Sequence, residues 1–419
     1  MSVGATLDSQ HVAGFHSAAL KAGLRRAQRS QKLHAILLIA PLLLFLVLNF
    51  VLPIGSMLLR SIQDPELSAV MPETAALLRK SATGALPDDH AVVVFVAELG
   101  HARASGALSA VANRLNYDIN GFRSLLFRTA RLTAEETSAA NLDALIKIDP
   151  RWGERETWTA MKHASGPYTT FYLLAAVDRR FTADGTIVKT PAQQAVFVDV
   201  FGRTFGVSAV VTVLCLALAY PIAYLLASAP ARLGNLLMIL VLLPFWTSVL
   251  VRTTAWMVIL QREGIVNGVL RRAGIISDPL QLIHNRTGVY IAMTYVLLPF
   301  MVLPLYGVMK GVSPLPIRAA LSLGATPFAA FRRIYIPQTL PGITAGCVLV
   351  FILAIGYYIT PALVGGADDQ LISYFIAFYT NQTLNWGMAA ALGLVLLAVT
   401  LILYGVYTKL AGVTGLKWR

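Results

Sequence analysis

Charge is scarce in this chain: Asp, Glu, Lys and Arg together make up 13% of its 419 residues, against 56% hydrophobic residues. With a mean hydropathy of +0.65, too little polar surface remains to cover a soluble fold of this length, so the chain reads as a membrane protein. Cysteine is limited to Cys215 and Cys347, both within apolar runs. No disulfide framework or cysteine metal site follows, and both read as buried packing residues. A phosphate-cradling Walker A loop is missing, as are a His-Glu-x-x-His zinc helix, a Gly-x-Ser-x-Gly elbow and a dinucleotide-binding glycine fingerprint. No catalytic residue, metal site or directly bound cofactor is therefore assigned. Of the seven histidines, His90 and His101 flank Glu98; surface helix positions are the stronger reading of that trio. The formal charge of +13 lacks the aromatic-interleaved basic patch of a nucleic-acid binder.

What the chain has in abundance is long apolar runs. Six are long enough to cross roughly 30 Å of hydrocarbon as helices: about His34 to Leu59, Phe201 to Ala227, Leu236 to Leu260, Val289 to Met309, Ile343 to Val364 and Met388 to Thr408. Arg203 and Arg252 are the charged residues within them, and none holds Asp or Glu. The expected fold class is an all-α polytopic membrane protein with six transmembrane helices and a mostly helical extracytoplasmic insertion between the first two. Lys21, Arg25, Arg26, Arg29 and Lys32 precede the first run, which reads as an uncleaved anchor. The segment 1–33 is then cytoplasmic and basic, with Leu20 and Leu24 placed for an amphipathic surface helix or a plain positive-inside tail. With the N-terminus inside, Arg232, the loop 310–342 and the tail 409–419 also fall inside, in line with the positive-inside bias. One external loop dissents, carrying Arg262, Arg271, Arg272 and Arg286.

Residues 60–200 differ in composition from the rest. The stretch from Ser61 to Val200 holds 16 of the chain's 21 acidic residues and 14 of its 34 basic ones, which marks a polar insertion long enough for a small core. Thr133 to Glu136 reads as a capping box opening a helix through Leu145. Phe122, Leu125, Leu126, Trp152 and Trp158 are expected to pack together, and Asp184-Gly185 before Thr186-Ile187-Val188 signals a turn into a short strand. No Gly/Ser-rich linker frees the insertion, so it is expected close to the membrane-spanning core, residues 201–408.

The loop from Arg318 to Pro341, RAALSLGATPFAAFRRIYIPQTLP, carries the sharpest signal. Ala319, Ala320, Ser322, Gly324 and Ala325 let backbone press closely on another protein, and Gly324 permits positive φ. Pro337 and Pro341 punctuate the return to the membrane, with the next helix expected from about Gly342. On these residues alone an ordinary basic connecting loop is an equal reading.

Ala319, Ala320 and Gly324, followed by Ile334, Ile336 and Pro337, fall at the spacing of the Glu-Ala-Ala…Gly…Ile-x-Leu-Pro signature, and the chain resembles permease subunits of ATP-binding-cassette (ABC) importers. Arg318 stands where that family usually has Glu. The segments Leu242 to Trp256, Leu298 to Met309 and Gly356 to Gly366, with Gly264, Asn267 and Leu270, are similar to the first permease of spermidine/putrescine importers. The likeness covers about half of the chain, from Phe201 to Tyr407. It implies a type I importer permease fold and a heteromeric assembly. The implied partners are a cytoplasmic ABC ATPase dimer that uses the ATP, a second permease subunit and an extracytoplasmic solute-binding protein, with the lipid bilayer around them and no nucleic acid. Arg318, Ala319, Ala320, Ser322, Leu323, Gly324, Ala325, Ile334, Ile336 and Pro337 would form the ATPase-coupling loop.

For the translocation path the candidates are Arg252, Trp256, Tyr295, Tyr357, Tyr358 and Pro361. An intramembrane charge such as Arg252 faces a cavity or a partner by default, though snorkelling beside Trp256 and bracing of the spans are competing readings. Proline kinks free backbone carbonyls, and Pro361 beside Gly356, Tyr357 and Tyr358 suits a gate. Polyamines would call for carboxylates or aromatic cages; Asp368 and Asp369 in the last external loop are available to attract cations. An importer of opines, phosphonates, sulfate or iron stays open, and so do a secondary transporter and a membrane-tethered enzyme.

Overall fold

The computed structural model describes residues 36–82, 84–135, 141–182 and 185–410. The readings placed on residues 1–33, Glu136, Asp184, Lys417 and Arg419 lie outside them. Contacts divide the chain at Leu59 into two compact units. In the first, α1 (Ile36–Leu59) is a 24-residue apolar helix. Its middle turn, Val47–Val51, widens into a π-helix just before Pro53. A proline has no amide to close an ordinary turn, and such widening re-pairs the carbonyls it frees.

The second unit begins with the insertion, which is built on short helices: α2 (Glu66–Val70), α3 (Pro72–Lys80), α4 (Asp89–Ala104), α5 (Leu108–Asp118), α6 (Phe122–Glu135), α7 (Leu142–Ile148), α8 (Arg155–His163) and α9 (Phe171–Ala176). Phe95, Phe122, Leu125, Leu126, Trp152 and Trp158 close its core. The two indoles lie 5.1 Å apart by ring centroid. Neither indole is left with a bare N–H: Trp152 donates to Thr129 Oγ1 and Trp158 to the Trp152 carbonyl. β1 (Arg179–Phe181) and β2 (Ile187–Lys189) make one antiparallel hairpin, with Gly185 at φ 78° in its turn.

Thr133 corrects one expectation. It sits in the last turn of α6, and its hydroxyl donates back to the Thr129 carbonyl, so it caps nothing. Asn141 caps the next helix instead, its side chain accepting from the Ala144 amide. Glu98 is likewise a capping group, bonding the Glu73 and Thr74 amides at the start of α3. His90 and His101 are exposed, and the described residues hold no cluster fit for a metal.

The membrane-spanning core follows: α10 (Phe197–Ser228), α11 (Ala231–Leu242), α12 (Val249–Leu260), α13 (Ile265–Arg272), α14 (Arg286–Gly311), α15 (Leu315–Ser322), α16 (Pro327–Gly356), α17 (Ile359–Val364), α18 (Ile372–Asn381) and α19 (Trp386–Leu410). The long helices α10, α14 and α16 share one core. Val211, Cys215, Ala219 and Ala223 recur every fourth residue of α10 and are fully buried, a small-residue stripe of the kind that lets membrane helices approach closely. On α16, a Cβ at Gly346 would meet Met301 Sδ at 2.7 Å.

Three spans depart furthest from the sequence expectation. The second helix starts at Phe197, not Phe201, and Arg203 within it donates to the Gln370 carbonyl at 3.2 Å. The third span is not continuous: around Pro244 the backbone forms a 3-10 turn, and the flanking helical arms bend by 99°. The fifth begins at Pro327 rather than Gly342, with Pro341 inside it, and ends at Gly356 rather than Val364. Apolar runs report burial in lipid, and they carry no mark of where a helix turns within it.

The insertion rests on the core through α9 and α19. Tyr172 and Ala176 pack with Phe197, Phe201, Ile372, Met388 and Leu392. Beneath that seam Arg114 is 2% exposed and pairs with Asp64 (2.6 Å) and Asp118 (2.7 Å). Its guanidinium also lies 4.4 Å from the ring centroid of Phe171 and 5.2 Å from that of Tyr172.

Candidate functional site

The loop between α14 and α16 is an elbow with a rigid base and a bare tip. α15 ends in a Schellman arrangement: the Gly324 amide donates to the Leu321 carbonyl and the Ala325 amide to the Ala320 carbonyl. Gly324 takes φ 86°, the left-handed conformation that a side chain would oppose. The chain reverses there, and Thr326 caps α16 by accepting from the Ala329 amide, with Pro327 in its first turn. Phe331–Tyr335 is a π-turn. It precedes Pro337, so the wider turn accommodates the missing proline amide and the helix runs on unbroken.

That turn is pinned to α10 by aromatic rings. Phe331 and Tyr335 stack at 5.4 Å, and both meet Tyr224 edge-on at 5.7 and 5.4 Å. Tyr220 adds a hydroxyl contact of 3.2 Å to Thr339. Sequence reasoning missed this brace; the spacing of four residues in both Tyr220/Tyr224 and Phe331/Tyr335 is its visible signal. The tip makes the opposite choice. Leu323 is 88% exposed, Phe328 72% and Leu315 70%, and Arg318, Ala319 and Ser322 are exposed with them, whereas Ala320, Ala325, Ile334 and Ile336 are half-buried. Large apolar groups clustered on an exposed tip mark a contact surface for another protein.

The path candidates fall into two contacting sets. The Trp256 and Tyr295 rings meet edge-on at 5.3 Å. Arg252 lies near enough to Tyr357 to interact electrostatically, and its neighbour Thr253 contacts Thr360 at 3.2 Å between hydroxyl oxygens. The broken third span thus packs on the second break, after Gly356. There Ser373 satisfies a freed carbonyl by donating to Ile355 O at 2.7 Å. Pro361 is buried in α17 and Tyr358 is 40% exposed. Arg252 Nε is buried without a hydrogen-bond partner among the described residues. Irregular backbone at membrane depth is tolerated where protein or a water-filled cavity meets it. Asp369 is spoken for: it accepts from Arg286 Nε at 3.0 Å and from the Gly366 amide, so of the pair only Asp368 is exposed.

Broken helices packed on long spans, with an exposed apolar elbow between two of them, make up a polytopic membrane subunit. The profile of the family described as "Binding-protein-dependent transport system inner membrane component" matches residues 219–412. The spermidine/putrescine transport system permease protein PotB of Haemophilus influenzae is 36% identical over 208 residues, covering 49% of this chain and 73% of that protein. PotB of Escherichia coli K12 is 34% identical over 213 residues, covering 51% and 78%. Among solved structures, a bacterial alginate ABC transporter in complex with an alginate pentasaccharide-bound periplasmic protein overlaps 51% of this chain and 78% of its own at 17% identity, with a TM-score of 0.43. The chain belongs to the binding-protein-dependent transport system inner membrane component family and is a permease subunit of an ABC importer, a transport component rather than an enzyme.

Proposed function

We propose that this subunit moves a polyamine, spermidine or putrescine, received from an extracytoplasmic binding protein, through a path shared with a second permease subunit. The work comes from a cytoplasmic ATPase dimer that hydrolyses ATP and seats the elbow, Ala319 to Ile334, in a cleft of its surface. Both termini and the elbow then face the cytoplasm. The observation carrying this reading is the contrast within the elbow: Leu323 and Phe328 are exposed at the tip while Phe331 and Tyr335 are stacked at the base. A rigid arm with an uncovered apolar end transmits a partner's closure to the spans as a rigid-body swing. The solute assignment rests on the names of the relatives.

Reconstitution with the partner subunits tests the reading: uptake of labelled putrescine should require ATP and the binding protein, and uptake driven by a proton gradient without ATP would contradict it. Arg318→Glu should alter the ATPase stimulation, since a basic residue at that point of the tip suits an acidic or neutral partner surface. A second reading is favoured by Arg252, a cation inside a span that contains no carboxylate: the solute is then an anion such as a phosphonate or sulfate. Stimulation by the phosphonate-loaded rather than the putrescine-loaded binding protein would select it.

A further inference from the structure

One face of α6 carries Ser124, Phe127, Arg128 and Arg131 at the i, i+3, i+4 and i+7 positions of a helix, opposite the buried Phe122, Leu125 and Leu126. Arg103 from the last turn of α4 and Arg151 from the 3-10 turn Pro150–Gly153 close in on that face, and the six side chains line an open cavity of about 540 Å³, within the usual size range of small-molecule sites. Four guanidiniums thus meet in one concavity, and no carboxylate shares the lining among the described residues. Like charges three residues apart on a helix, as Arg128 and Arg131 are, cost stability. The insertion as a whole holds 16 acidic residues against 14 basic ones, so its composition does not account for the patch.

Two of the four guanidiniums are anchored and two remain available. Arg103 donates to the Ala130 carbonyl at 2.7 Å, and Arg151 donates to the Gly121 carbonyl at 3.2 Å while pairing with Asp149 at 2.8 Å. Arg128 keeps only a 3.7 Å contact with Asp149, beyond hydrogen-bond length, and Arg131 has no ion pair or hydrogen bond among the described residues. The carboxylates that face the group are Asp149 and Glu154, both beside Arg151, and they leave the positive charge in excess. Arg123 adds a fifth cation, 5.9 Å from the centroid of the Phe127 ring. Guanidinium forks held in fixed positions bind phosphate oxygens in pairs. We propose that this cavity binds a phosphate group, carried by a small soluble molecule or by a lipid headgroup, with Arg128 and Arg131 donating to its oxygens and Arg103 and Arg151 framing it. The site lies wholly on the insertion, apart from the elbow and the helix breaks of the path, and its occupation does not depend on which solute is transported.

Two measurements on the full-length chain test the site and separate the two sources. Calorimetric titration in phosphatidylcholine nanodiscs uses inorganic pyrophosphate as the soluble probe, and native mass spectrometry of the detergent-solubilised chain counts retained phosphatidate. The double variant Arg128→Gln with Arg131→Gln should weaken the binding of the occupant, soluble or lipid, roughly tenfold or more, as loss of charged hydrogen-bonding partners does. Both residues are exposed, so its melting temperature should stay that of wild type. Arg271→Gln with Arg272→Gln removes the same charge from exposed positions of another loop and should leave binding unchanged. Pyrophosphate binding lost in the first variant identifies a soluble phosphate, and phosphatidate retention lost in it identifies a headgroup. The proposal is overturned if neither probe distinguishes wild type from the first variant, or if the two double variants weaken binding equally.

Discussion

The ring of Tyr172 occupies the space a side chain would need at Gly387: a Cβ built there would lie 2.5 Å from Tyr172 Cε2 and Cζ. Within the larger apolar seam of Tyr172, Ala176, Met388 and Leu392, the insertion meets the last span here as an aromatic plane against a bare backbone. Gly387→Ala should push the ring away and destabilise the chain by about 1–3 kcal/mol, the usual cost of overpacking. A thermal melt measures it. The double variant Gly387→Ala with Tyr172→Ala should lose less than the sum of the two single changes, because the clash disappears with the ring; additive losses would show that the two residues do not meet.

Charge beneath this seam gives a pH dependence with a definite sign. Burial pushes the Asp64 carboxyl up to about 7, against the opposing pull of Arg114. Burial raises Asp118 as well, and Glu66 and Tyr172 face the same cluster. His163, near Asp118, is lowered by its own burial. A carboxyl that holds its proton more tightly when folded makes the native state bind more protons than the unfolded chain between roughly pH 4 and 7, so stability falls as pH rises through that window. Melting temperatures of the purified chain should be higher at pH 5 than at pH 8. Asp64→Asn should flatten that slope, and an unchanged slope would remove Asp64 as its source.

At the elbow, base and tip are separable. Tyr224 is 43% exposed yet meets both Phe331 and Tyr335, so Tyr224→Ala should loosen the arm without unfolding the core. The expected result is an assembly that still retains its ATPase but hydrolyses ATP with several-fold less solute moved per turnover. Retained coupling would place the stiffness elsewhere.

How much of this was legible beforehand follows from the range of each interaction. Gly324 acts on backbone within a few residues, and its positive φ was legible from the residue type; the cap at Thr326 and Pro327, which starts the helix well before the expected Gly342, was not. Apolar runs and helix-forming stretches likewise show the all-α membrane fold. The bend at Leu243–Trp246 was not legible, because Pro221, Pro299 and Pro304 sit inside helices that continue past them; whether a proline breaks or merely kinks a span depends on what packs around the freed carbonyls. Thr133 misled for a related reason, since a threonine bonding back four residues looks the same in sequence as one capping forward. Asp64 and Arg114 are 50 residues apart, and nothing local announces that they pair. Of the path candidates, Arg252 and Tyr357 are brought together only by the packing of two breaks, which periodicity does not encode.

The central claim is that the exposed tip docks on a separate ATPase. In a background with Cys215 and Cys347 replaced by alanine, a cysteine introduced at Leu323 should crosslink to the co-expressed ATPase subunit, with a yield that changes when ATP closes the motor. It should also be unreactive to a membrane-impermeant thiol reagent added outside intact cells. A Leu323→Cys variant that never captures the ATPase, or that is labelled from the external side, would contradict the account.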